Sequence, residues 1–385
     1  MNHNDFRSEL EQILLHTLVA PGRPIRWTAI ANPKAGGFTI PRRWKQHLSA
    51  LQECVATAQQ NPLREDIQPS ALAGERQGLI LTQGPGHASA IVEALLKEAE
   101  EHRLAYPDPY PDPYPCSAGS SQGRRPFHLI VCAGGDGTSL EALVALFYAK
   151  PEALEDFAVL RLPMGTGNDA ADAWTLAEAL DLLIRPVAQS KARAIQLSTA
   201  TPGKGPFLAF NILSVGLDAF VTHWTNKMKG KLPGDSYKLW VDIASILYDR
   251  LYRVGPMDIQ TYNEDGQADR ALRETTLLLA FGASGNRTYG SHNRILPDER
   301  NVCLIRQTSL LRKAALKGLI KAGTHAQEKE ALLFHASRVE FRGEYPILAQ
   351  MDGETVLLEK ADFPAVITLT SPVIPILTAV PEFPK

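Results

Sequence analysis

Short apolar runs alternate with longer segments of helical periodicity between residue 25 and about residue 185. The short runs predict β-strands, and the longer segments predict α-helices. The predicted strands are Ile25–Ala31, Gly78–Thr82, Phe127–Ala133 and Ala158–Leu162. The predicted helices are Arg42–Gln60, Ala88–Arg103, Ser139–Tyr148 and Ala170–Ile184. This alternation is typical of a doubly wound α/β domain with a largely parallel sheet.

The pattern changes beyond about residue 190. Apolar runs are separated there by Gly, Asn and Asp turns, and one helical stretch, Ser236–Tyr252, interrupts them. The predicted strands of this part are Phe207–Leu213, Thr275–Phe281, Arg338–Phe341 and Ala365–Leu369. We therefore expect an α/β domain at residues 24–188 and a mainly antiparallel sheet domain at residues 189–385. The last segment could return to the first domain.

Residues 104–126 interrupt the first domain. Tyr106–Pro115 reads YPDPYPDPYP, and proline at every second or third position blocks helix and sheet alike. We expect an exposed, extended insertion in this place.

The composition is that of a globular chain. Its 385 residues exceed the usual size of one compact core, and its formal net charge of −2 gives no reason to expect nucleic acid binding. No apolar run approaches the roughly 20 residues that span a bilayer. The N-terminus lacks the apolar stretch of a signal peptide. The four cysteines form no CxxC pair, so we expect a reduced, cytoplasmic compartment.

Glycine-rich turns follow the four strands of the first domain. The most informative turn follows the third strand and contains Gly134, Gly135, Asp136, Gly137 and Thr138. Glycines let the backbone approach an anion, and the helix that follows offers unpaired N–H groups. A carboxylate beside a polyphosphate would be repelled unless a cation intervened, which indicates a magnesium site at Asp136. A simple glycine turn with a helix-capping aspartate explains the segment about as well.

The other three turns extend this pattern. The fourth strand is followed by Gly165, Thr166, Gly167, Asn168 and Asp169, the first by Asn32, Pro33, Lys34, Ala35, Gly36 and Gly37, and the second by Thr82–Ala88. The match of Gly165–Ala170 to G-x-G-x-x-A is weak, because a Rossmann fingerprint belongs on the first strand–helix turn. All four turns would lie at the carboxyl edge of the sheet, where open α/β sheets bind ligands. Lys34 is a candidate for pairing with phosphate, with a solvated lysine as the alternative.

A series of short motifs occurs along the chain in a fixed order. They are Asn32-Pro33-Lys34-Ala35-Gly36, Gly134-Gly135-Asp136-Gly137-Thr138, Gly165-Thr166-Gly167-Asn168-Asp169, Asn211-x-x-Ser214-x-Gly216-x-Asp218-Ala219, Asn286-x-x-Tyr289-Gly290 and Met351-Asp352-Gly353-Glu354. Each motif alone is common, but the ordered set resembles the diacylglycerol kinase catalytic family, which includes bacterial lipid kinases and sphingosine kinases. The resemblance covers roughly residues 25 to 370.

The resemblance implies a fold and a reaction. The fold is a nucleotide-binding α/β domain followed by a β-sandwich, with the active site in the cleft between them. The reaction is transfer of phosphate from ATP, with Mg²⁺, to the hydroxyl of diacylglycerol or a related lipid. The family places the nucleotide phosphates on Gly134–Thr138, with Asn32, Lys34, Thr82 and Gly165–Asn168 lining the pocket.

The resemblance also assigns the carboxylates. It makes Asp352 the general base, with Glu354 beside it supporting metal or substrate. Two carboxylates one residue apart would project to the same face of a strand. From the residues alone, an Asp-Gly turn in a hairpin is the favoured alternative. Candidate metal ligands are Asp136, Asp169 and Asp298.

Two positions depart from the family pattern. Gln196 stands where many relatives carry an aspartate of the magnesium network, so metal binding or turnover is expected to weaken. Relatives also carry an Asp-Gly-x-Leu-Asp segment linked to a structural magnesium. Here Leu296–Val302 reads LPDERNV, which keeps only Asp298. The structural metal is therefore in doubt.

A lipid kinase must reach its substrate at a membrane. Residues 224–240 mix four lysines with Trp224, Tyr237 and Trp240, a composition that suits transient docking at an anionic surface. An ordinary solvated loop explains the segment equally well. The expected partner is thus a lipid at a membrane surface that a cytoplasmic protein visits, and homodimer formation stays open.

Two other functions fit parts of the pattern. NAD kinases also contain Gly-Gly-Asp-Gly-Thr, and Asn168-Asp169 could mimic their second motif, so a soluble acceptor is one alternative. Asn32-Pro33-Lys34 and Asp352-Gly353-Glu354 favour the lipid branch. The second alternative is a nucleotide-binding sensor with weakened catalysis, motivated by Gln196 and the altered Asp298 segment.

Overall fold

The computed structural model describes residues 2–72, 78–105, 125–165, 173–228, 248, 253–289 and 293–379. These residues divide into two compact units: Met1–Ala192 with Val373–Lys385, and Arg193–Pro372. The sequence predicts the boundary at 188–189, whereas the first unit continues to Ala192 and regains the chain from Val373 onwards. The predicted insertion Tyr106–Pro115 and the predicted helix Ser236–Tyr252 lie outside the described residues, apart from Tyr248.

The described residues form the following helices and strands. The helices are α1 (Asn2–Leu14), α2 (Gly36–Thr39), α3 (Pro41–Ala58), α4 (His87–Ala105), α5 (Asp136–Phe147), α6 (Leu176–Ile184), α7 (Leu217–Met228) and α8 (Leu310–Ala322), with 3₁₀ turns at Ala153–Asp156, His325–Gln327 and Lys360–Asp362. The strands are β1 (Ile25–Ala31), β2 (Ile67–Pro69), β3 (Leu79–Leu81), β4 (Phe127–Gly134), β5 (Phe157–Pro163), β6 (Val187–Ala192), β7 (Ile195–Ser198), β8 (Phe207–Ala209), β9 (Ile212–Gly216), β10 (Pro256–Tyr262), β11 (Ala268–Gly282), β12 (Arg287–Tyr289), β13 (Asn293–Leu296), β14 (Val302–Arg306), β15 (Ala331–Phe334), β16 (Arg338–Gly343), β17 (Ile347–Met351), β18 (Glu354–Leu358), β19 (Ala365–Leu369) and β20 (Ile374–Ala379).

The first unit contains a mainly parallel sheet of order β2-β1-β4-β5-β20-β6, with β3 also paired to β1. Only the β20–β6 pair is antiparallel among its described pairs. Side chains of α1, α3 and α6 share one buried cluster with alternate residues of β1, β4 and β5. The intervening residues, such as Ile30 and Cys132, are buried as well. A sheet buried on both faces reads as nearly continuous apolar runs, which is why its strands were visible in the sequence.

The second unit is built on a large antiparallel sheet of order β18-β17-β9-β11-β10-β16-β19-β7-β8, with β14 and β15 joined to β11. The long strand β11 links its two halves: residues 268–275 pair with β10, and residues 276–282 pair with β9 and β14. One buried cluster contains side chains from both halves, so the sheet encloses a shared core. Side chains of α7 and α8 form a further cluster with β9, β11 and β14. The prediction of a parallel sheet followed by a large antiparallel sheet is confirmed.

Two predicted elements differ from the structure for local reasons. Phe207–Leu213 is not one strand but two, β8 and β9, because the Asp352 carboxylate accepts hydrogen bonds from the amides of Phe210 and Asn211 between them. In the segment predicted as a helix from Ala170, α6 begins at Leu176. Thr175 forms a reciprocal capping box with Glu178 there, which ends the preceding segment and starts the helix.

A buried ion pair fixes the start of β4 in the first unit. The Asp156 carboxylate lies 2.7 Å from Nη2 of Arg23 and 2.8 Å from Nε of Arg125. Arg23 also donates to the carbonyls of Arg125 and Pro126. Asp156 and Arg125 are almost fully buried, so neither charge can be compensated by water. The cluster therefore joins the turn before β1, the start of β4 and the 3₁₀ turn before β5.

Substitution Asp156→Ala should destabilise the protein by about 3–5 kcal/mol, because it leaves two guanidinium groups without their buried partner. The matched control is Asp181→Ala, which removes an exposed pair with Arg185 in the same unit and should lose less than about 1 kcal/mol. Urea unfolding followed by circular dichroism measures both. Equal losses for the two variants would contradict the assigned role of Asp156.

A buried histidine makes the stability of the first unit depend on pH. His128 stacks on Phe157 with ring centroids 4.9 Å apart and lies 3.3 Å from the ring of His102. Burial lowers the pKa of His128 to about 3, and the charges of His102, Arg26 and Arg23 add smaller effects in the same direction. The unfolded chain therefore binds a proton at this position at pH values where the folded chain does not.

Stability from this source should be complete above about pH 6.5 and should be lost as the pH falls towards about 3. At pH 5 the loss should be about 2 kcal/mol, since each pH unit below the unfolded pKa contributes about 1.4 kcal/mol. His128→Phe keeps the aromatic stack and removes the titration. Urea unfolding between pH 5 and pH 8 should show a shallower pH dependence for this variant, and parallel curves would refute the effect.

Candidate functional site

The strand order of the first unit creates a switch point between β1 and β4. The chain leaves β1 towards β2 and β3 on one side, and leaves β4 towards β5 on the other. The two strand ends are joined, because the N–H of Asn32 donates to the carbonyl of Ala133 at 3.0 Å. Open α/β sheets bind ligands outside the carboxyl ends of strands at such a point.

The first and fourth turns contact each other at this edge. The N–H of Gly37 donates to the carbonyl of Met164 at 2.8 Å, and a Cβ at Gly37 would lie 2.8 Å from the same oxygen. Nη1 of Arg43 donates to the carbonyl of Gly165 at 3.2 Å. Glycine is therefore required at residue 37. Arg43, which the sequence suggested only as part of a helix, holds the fourth turn.

The third turn lies beside the fourth. A Cβ at Gly134 would lie 2.6 Å from Oγ1 of Thr138, so the Thr138 side chain occupies the space that any larger residue would need. A Cβ at Gly135 would lie 3.5 Å from Cα of Gly165. Gly135 is the N-cap of α5 and has no side chain with which to cap the helix, and Asp136 is the first helical residue. The start of α5 thus presents backbone N–H groups and the positive end of the helix dipole close to two glycine turns.

The second turn is joined to α5 by a carboxylate. The N–H of Thr82 donates to the carbonyl of Ala31 at 2.8 Å, which extends the β1–β3 pairing. Glu141 of α5 accepts hydrogen bonds from the N–H groups of Gly86 at 2.8 Å and Ala88 at 3.2 Å. Glu141 therefore occupies the N-terminus of α4. An anionic ligand is accordingly directed to the start of α5 rather than to that of α4.

The predicted nucleotide-binding residues that the structure describes follow the carboxyl ends of β1, β3, β4 and β5. They are Asn32, Lys34, Thr82, Gly134, Gly135, Asp136, Gly137, Thr138 and Gly165. Lys34 is exposed, and its backbone N–H donates to Oδ1 of Asn32 at 2.9 Å. Thr166, Gly167, Asn168 and Asp169 lie outside the described residues.

In the second unit, Asp352 lies in a tight hairpin turn between β17 and β18. Met351 pairs with Glu354, so Asp352 and Gly353 alone form the loop. Both have positive φ, 45° and 100°, as a type I′ turn requires. The interpretation as a hairpin turn is confirmed, and the expectation that Asp352 and Glu354 share one strand face is wrong. Glu354 begins β18 and is exposed, whereas Asp352 is half-buried.

The Asp352 carboxylate is held by three consecutive backbone amides. Oδ2 accepts from the N–H of Phe210 at 2.5 Å, and Oδ1 accepts from those of Asn211 at 3.1 Å and Ile212 at 3.0 Å. Hydrogen bonds to a charged acceptor are among the stronger ones in proteins. They fix the carboxylate at the start of β9, where the Asn211 motif begins.

A buried polar network supports the same turn. Asp218, at the start of α7, accepts from Oγ of Ser214 at 2.6 Å and from Nε2 of Gln350 at 3.1 Å. Oε1 of Gln350 accepts from the N–H of Gly353 at 2.9 Å. Nδ2 of Asn226 donates to the carbonyl of Gly353 at 2.9 Å. The sequence motif pointed to Ser214 and Asp218, but not to Gln350 or Asn226.

Two further motifs meet at Asn211. Its side chain donates to the carbonyl of Thr288 at 3.1 Å and lies 3.5 Å from Nη1 of Arg287, so the Asn211 and Asn286 motifs are adjacent. Asn286 has a φ of 54°, and its N–H donates to the carbonyl of Asp298 at 2.7 Å. Separate segments of the sequence motif thus assemble around the Asp352 turn.

Comparisons with known proteins agree with this arrangement. The family model described as the diacylglycerol kinase catalytic domain matches residues 119–200, which include the third and fourth turns. A "Probable lipid kinase YegS-like" of Xanthomonas axonopodis pv. citri (strain 306) is 24% identical over 238 residues, 59% of this chain and 72% of that protein. The protein of the same name from Xanthomonas oryzae pv. oryzae (strain MAFF 311018) is 26% identical over 238 residues, with the same shares covered. The chain is therefore similar to the diacylglycerol kinase catalytic-domain family, as its ordered motifs indicate.

Solved structures extend the likeness to the fold. A protein of Bacillus anthracis str. Sterne described as a diacylglycerol kinase superposes with a TM-score of 0.55 at 17% identity, covering 91% of this chain and 96% of that one. A second structure, also described as a diacylglycerol kinase of that strain, gives 0.52 at 17% identity with the same coverage. The fold of these solved structures is therefore shared by most of this chain.

The structure gives hydrogen-bond partners for Asp298 and Gln196, the two positions that depart from the diacylglycerol kinase pattern. Both oxygens of Asp298 are held by Arg300, whose Nε lies 2.9 Å from Oδ1 and whose Nη2 contacts Oδ2. The hydrogen bond from Arg300 lowers the pKa of Asp298 below its ordinary value, and raises the pKa of Arg300. Gln196 lies half-buried in β7, with Nε2 3.4 Å from Oγ of Ser198. Asp298 is therefore neutralised locally.

Within the described ranges, no three His, Cys, Asp or Glu side chains gather as a metal site. Asp136 belongs to the first unit and Asp298 to the second, while Asp169 lies outside the described residues. Likewise, none of the helices within those ranges is long and apolar enough to cross a bilayer.

Proposed function

We propose that this protein belongs to the diacylglycerol kinase family and transfers the γ-phosphoryl group of ATP to the hydroxyl of diacylglycerol or a related lipid, with Mg²⁺. The observation that carries the proposal is the closeness of Gly135, the N-cap of α5, to Gly165: a Cβ added at Gly135 would lie 3.5 Å from Cα of Gly165. Two backbones approach here without side chains, beside a helix N-terminus and at the switch point of the sheet. This combination suits the phosphates of a nucleotide.

Asp136 supplies a carboxylate of the kind that suits magnesium at the third turn. Mg²⁺ commonly takes one or two carboxylates together with substrate phosphates and water, and Asp136 stands first in α5. Asp136, with Asp169 from the fourth motif, would hold the ion. When bound, Mg²⁺ would neutralise part of the phosphate charge.

Asp352 is the proposed general base. The hydroxyl oxygen of the lipid forms a bond to the γ-phosphorus, the bond from phosphorus to the β–γ bridging oxygen breaks, and ADP leaves. The hydroxyl proton passes to the Asp352 carboxylate. Three backbone amides keep this carboxylate in one orientation, as a positioned base requires. Glu354, exposed at the start of β18, is proposed to support metal or substrate.

The nucleotide groups belong to the first unit and Asp352 to the second, so the proposal requires both units to act on one pair of substrates. The lipid would be met at a membrane surface. In the segment proposed for docking, Nζ of Lys227 lies 5.9 Å from the ring centre of Trp224, and residues 229–240 lie outside the described chain.

Gly135→Ala separates nucleotide binding from folding. The backbone at Gly135 has φ −96° and ψ −175°, which alanine adopts freely, and its Cβ would make only an ordinary contact with Gly165. Stability should change by less than about 1 kcal/mol. The methyl group would nevertheless project between the two turns and should weaken ATP binding at least about tenfold, as measured by calorimetry.

The neighbouring Gly134→Ala variant is the matched comparison. Its methyl group would clash with the buried Thr138, so it should lose about 1–3 kcal/mol of stability. Unchanged ATP affinity in a folded Gly135→Ala protein would show that the phosphates bind elsewhere.

Asp352→Asn should lower kcat by about 10²- to 10⁴-fold, because the variant lacks the general base while asparagine still tolerates a positive φ. The control is Asp265→Asn, which changes an exposed aspartate ahead of Gly266 in the hairpin between β10 and β11. It should retain full activity. Labelled ATP is assayed against diacylglycerol, ceramide and sphingosine in mixed micelles, and against NAD.

The acceptor panel decides between the candidate functions. Transfer to a lipid that depends on Asp352 supports the proposal, and transfer to NAD alone replaces it with a soluble-acceptor kinase. ATP binding without transfer to any acceptor would favour the sensor, for which Gln196 and the Arg300-bound Asp298 are the motivating features.

A further inference from the structure

One buried side-chain amide, that of Gln350, is hydrogen-bonded to the hairpin turn that carries Asp352. Gln350 precedes the turn by two residues and is 4% exposed. Its Nε2 donates to Oδ2 of Asp218 at 3.1 Å, and its Oε1 accepts from the N–H of Gly353 at 2.9 Å. Each end of the amide has one protein partner, and each partner demands the opposite hydrogen-bonding character.

The Asp218 carboxylate, to which this amide donates, is itself held in place. It lies in the first turn of α7, is 6% exposed, and also accepts from Oγ of Ser214 at 2.6 Å. A buried carboxylate has to keep its donors, since an unpaired charge in the interior is strongly destabilising. Ser214 and Gln350 are moreover directly opposite each other in the β9–β17 pairing. The positions of α7, β9 and β17 are therefore tied together at Asp218.

The other end of the amide reaches the turn itself. Gly353 has a φ of 100°, and the turn is also bound by Asn226 of α7 through the Gly353 carbonyl at 2.9 Å. Gly353 is thus held at its N–H by Gln350 and at its carbonyl by Asn226. The Asp352 carboxylate is held separately by the amides of residues 210–212.

We propose that Gln350 is a positioning residue: it transmits the fixed location of Asp218 to the Asp352–Gly353 turn and so sets the direction of the Asp352 carboxylate. This inference rests on the proposed role of Asp352 as the base. Only a side chain that donates at one end and accepts at the other satisfies both Asp218 and Gly353. The role is therefore specific to glutamine, or to a protonated glutamic acid, at this place.

Two substitutions test the hydrogen-bond requirement. Gln350→Met conserves the length of the side chain and removes both hydrogen bonds. Gln350→Glu keeps the acceptor for Gly353 but, when ionised, places a second carboxylate against Asp218. Two carboxylates that share a site raise one pKa strongly, so the introduced carboxyl should take up a proton within the accessible pH range. Once protonated, it donates to Asp218 and accepts from Gly353, as Gln350 does.

The expected kinetics distinguish positioning from simple stabilisation. Gln350→Met should lower kcat by about 10- to 100-fold while the KM for ATP stays within about twofold, since the nucleotide turns belong to the other unit. At high pH, Gln350→Glu should lower kcat by about as much as Gln350→Met does. As the pH falls, the kcat of Gln350→Glu should rise relative to that of the unsubstituted protein, and the kcat of Gln350→Met should show no such recovery.

The titratable groups around this position are few on the described elements. Asp218 and His223 face it from α7, and Asp352 and Glu354 belong to the hairpin. Burial lowers the pKa of His223, and this residue contacts Oγ1 of Thr355 at 3.1 Å in the unsubstituted protein. Because Gln350→Met keeps all four groups, a recovery that occurs in Gln350→Glu but not in Gln350→Met is assigned to the introduced carboxyl together with its partner Asp218. The double variant Asp218→Asn with Gln350→Glu should remove the pH-dependent recovery. In it, the amide introduced at position 218 donates to the ionised carboxylate introduced at position 350, so no proton needs to be taken up.

A readout that needs no enzymatic activity accompanies the kinetics. Hydrogen exchange of the Gly353 amide, followed by ¹⁵N-glycine labelling, should become at least about tenfold faster in Gln350→Met and remain slow in Gln350→Glu at low pH. Unchanged exchange in Gln350→Met overturns the proposal, as does faster exchange with an unaltered kcat. If the unsubstituted protein phosphorylates no acceptor, the kinase proposal fails, and the exchange experiment still decides whether Gln350 holds the turn.

Discussion

At two glycines of the first unit the packing leaves no room for a side chain. Gly37 of the first turn donates a hydrogen bond to Met164 at the end of β5, and a Cβ at Gly134 would clash with Thr138. A Cβ at Gly135 would make an ordinary contact with Gly165, so the third turn and the start of α5 lie beside the fourth turn. The proposed phosphate site depends on this packing, since backbone N–H groups can surround an anion only where the chain itself comes close. Arg43 and Glu141 stabilise the arrangement from α3 and α5.

The second unit solves a different problem, which is to place a carboxylate on a turn and keep it still. A type I′ hairpin is the tightest connection available between β17 and β18, and its two positive φ values suit Asp followed by Gly. The turn alone would leave the Asp352 side chain free to rotate. The amides of residues 210–212 hold the Asp352 carboxylate, and Gln350, bound to Asp218, holds the N–H of Gly353. The structural interpretation of Asp352-Gly353 and the functional one are therefore compatible, because the hairpin would position the proposed base.

Much of this could be read from the sequence, and the limits have physical causes. Strands β1 and β19 have the predicted bounds, because buried strands flanked by Gly, Pro or Asn are marked within a few residues. The start of α6 could have been found from Thr175 and Glu178, which form the S/T-x-x-E capping signature. The contacts made by Arg43, Glu141 and Gln350 could not have been found from the sequence. Their partners lie 122, 55 and 132 residues away in the chain, and a single polar side chain carries no local pattern that reveals a distant hydrogen bond.

The departures from the family pattern fall in one unit only. The described motif residues of the first unit match the family, whereas Gln196 and the Asp298 segment belong to the second. At Asp298 the guanidinium of Arg300, two residues along the chain, supplies the positive charge that relatives are expected to obtain from an ion. At Gln196 the loss of a carboxylate lowers the negative charge available to a metal. Nucleotide binding is therefore expected whether the chain is an active kinase or a sensor, and the proposed transfer to an acceptor, which would use Asp352 of the second unit, separates the two.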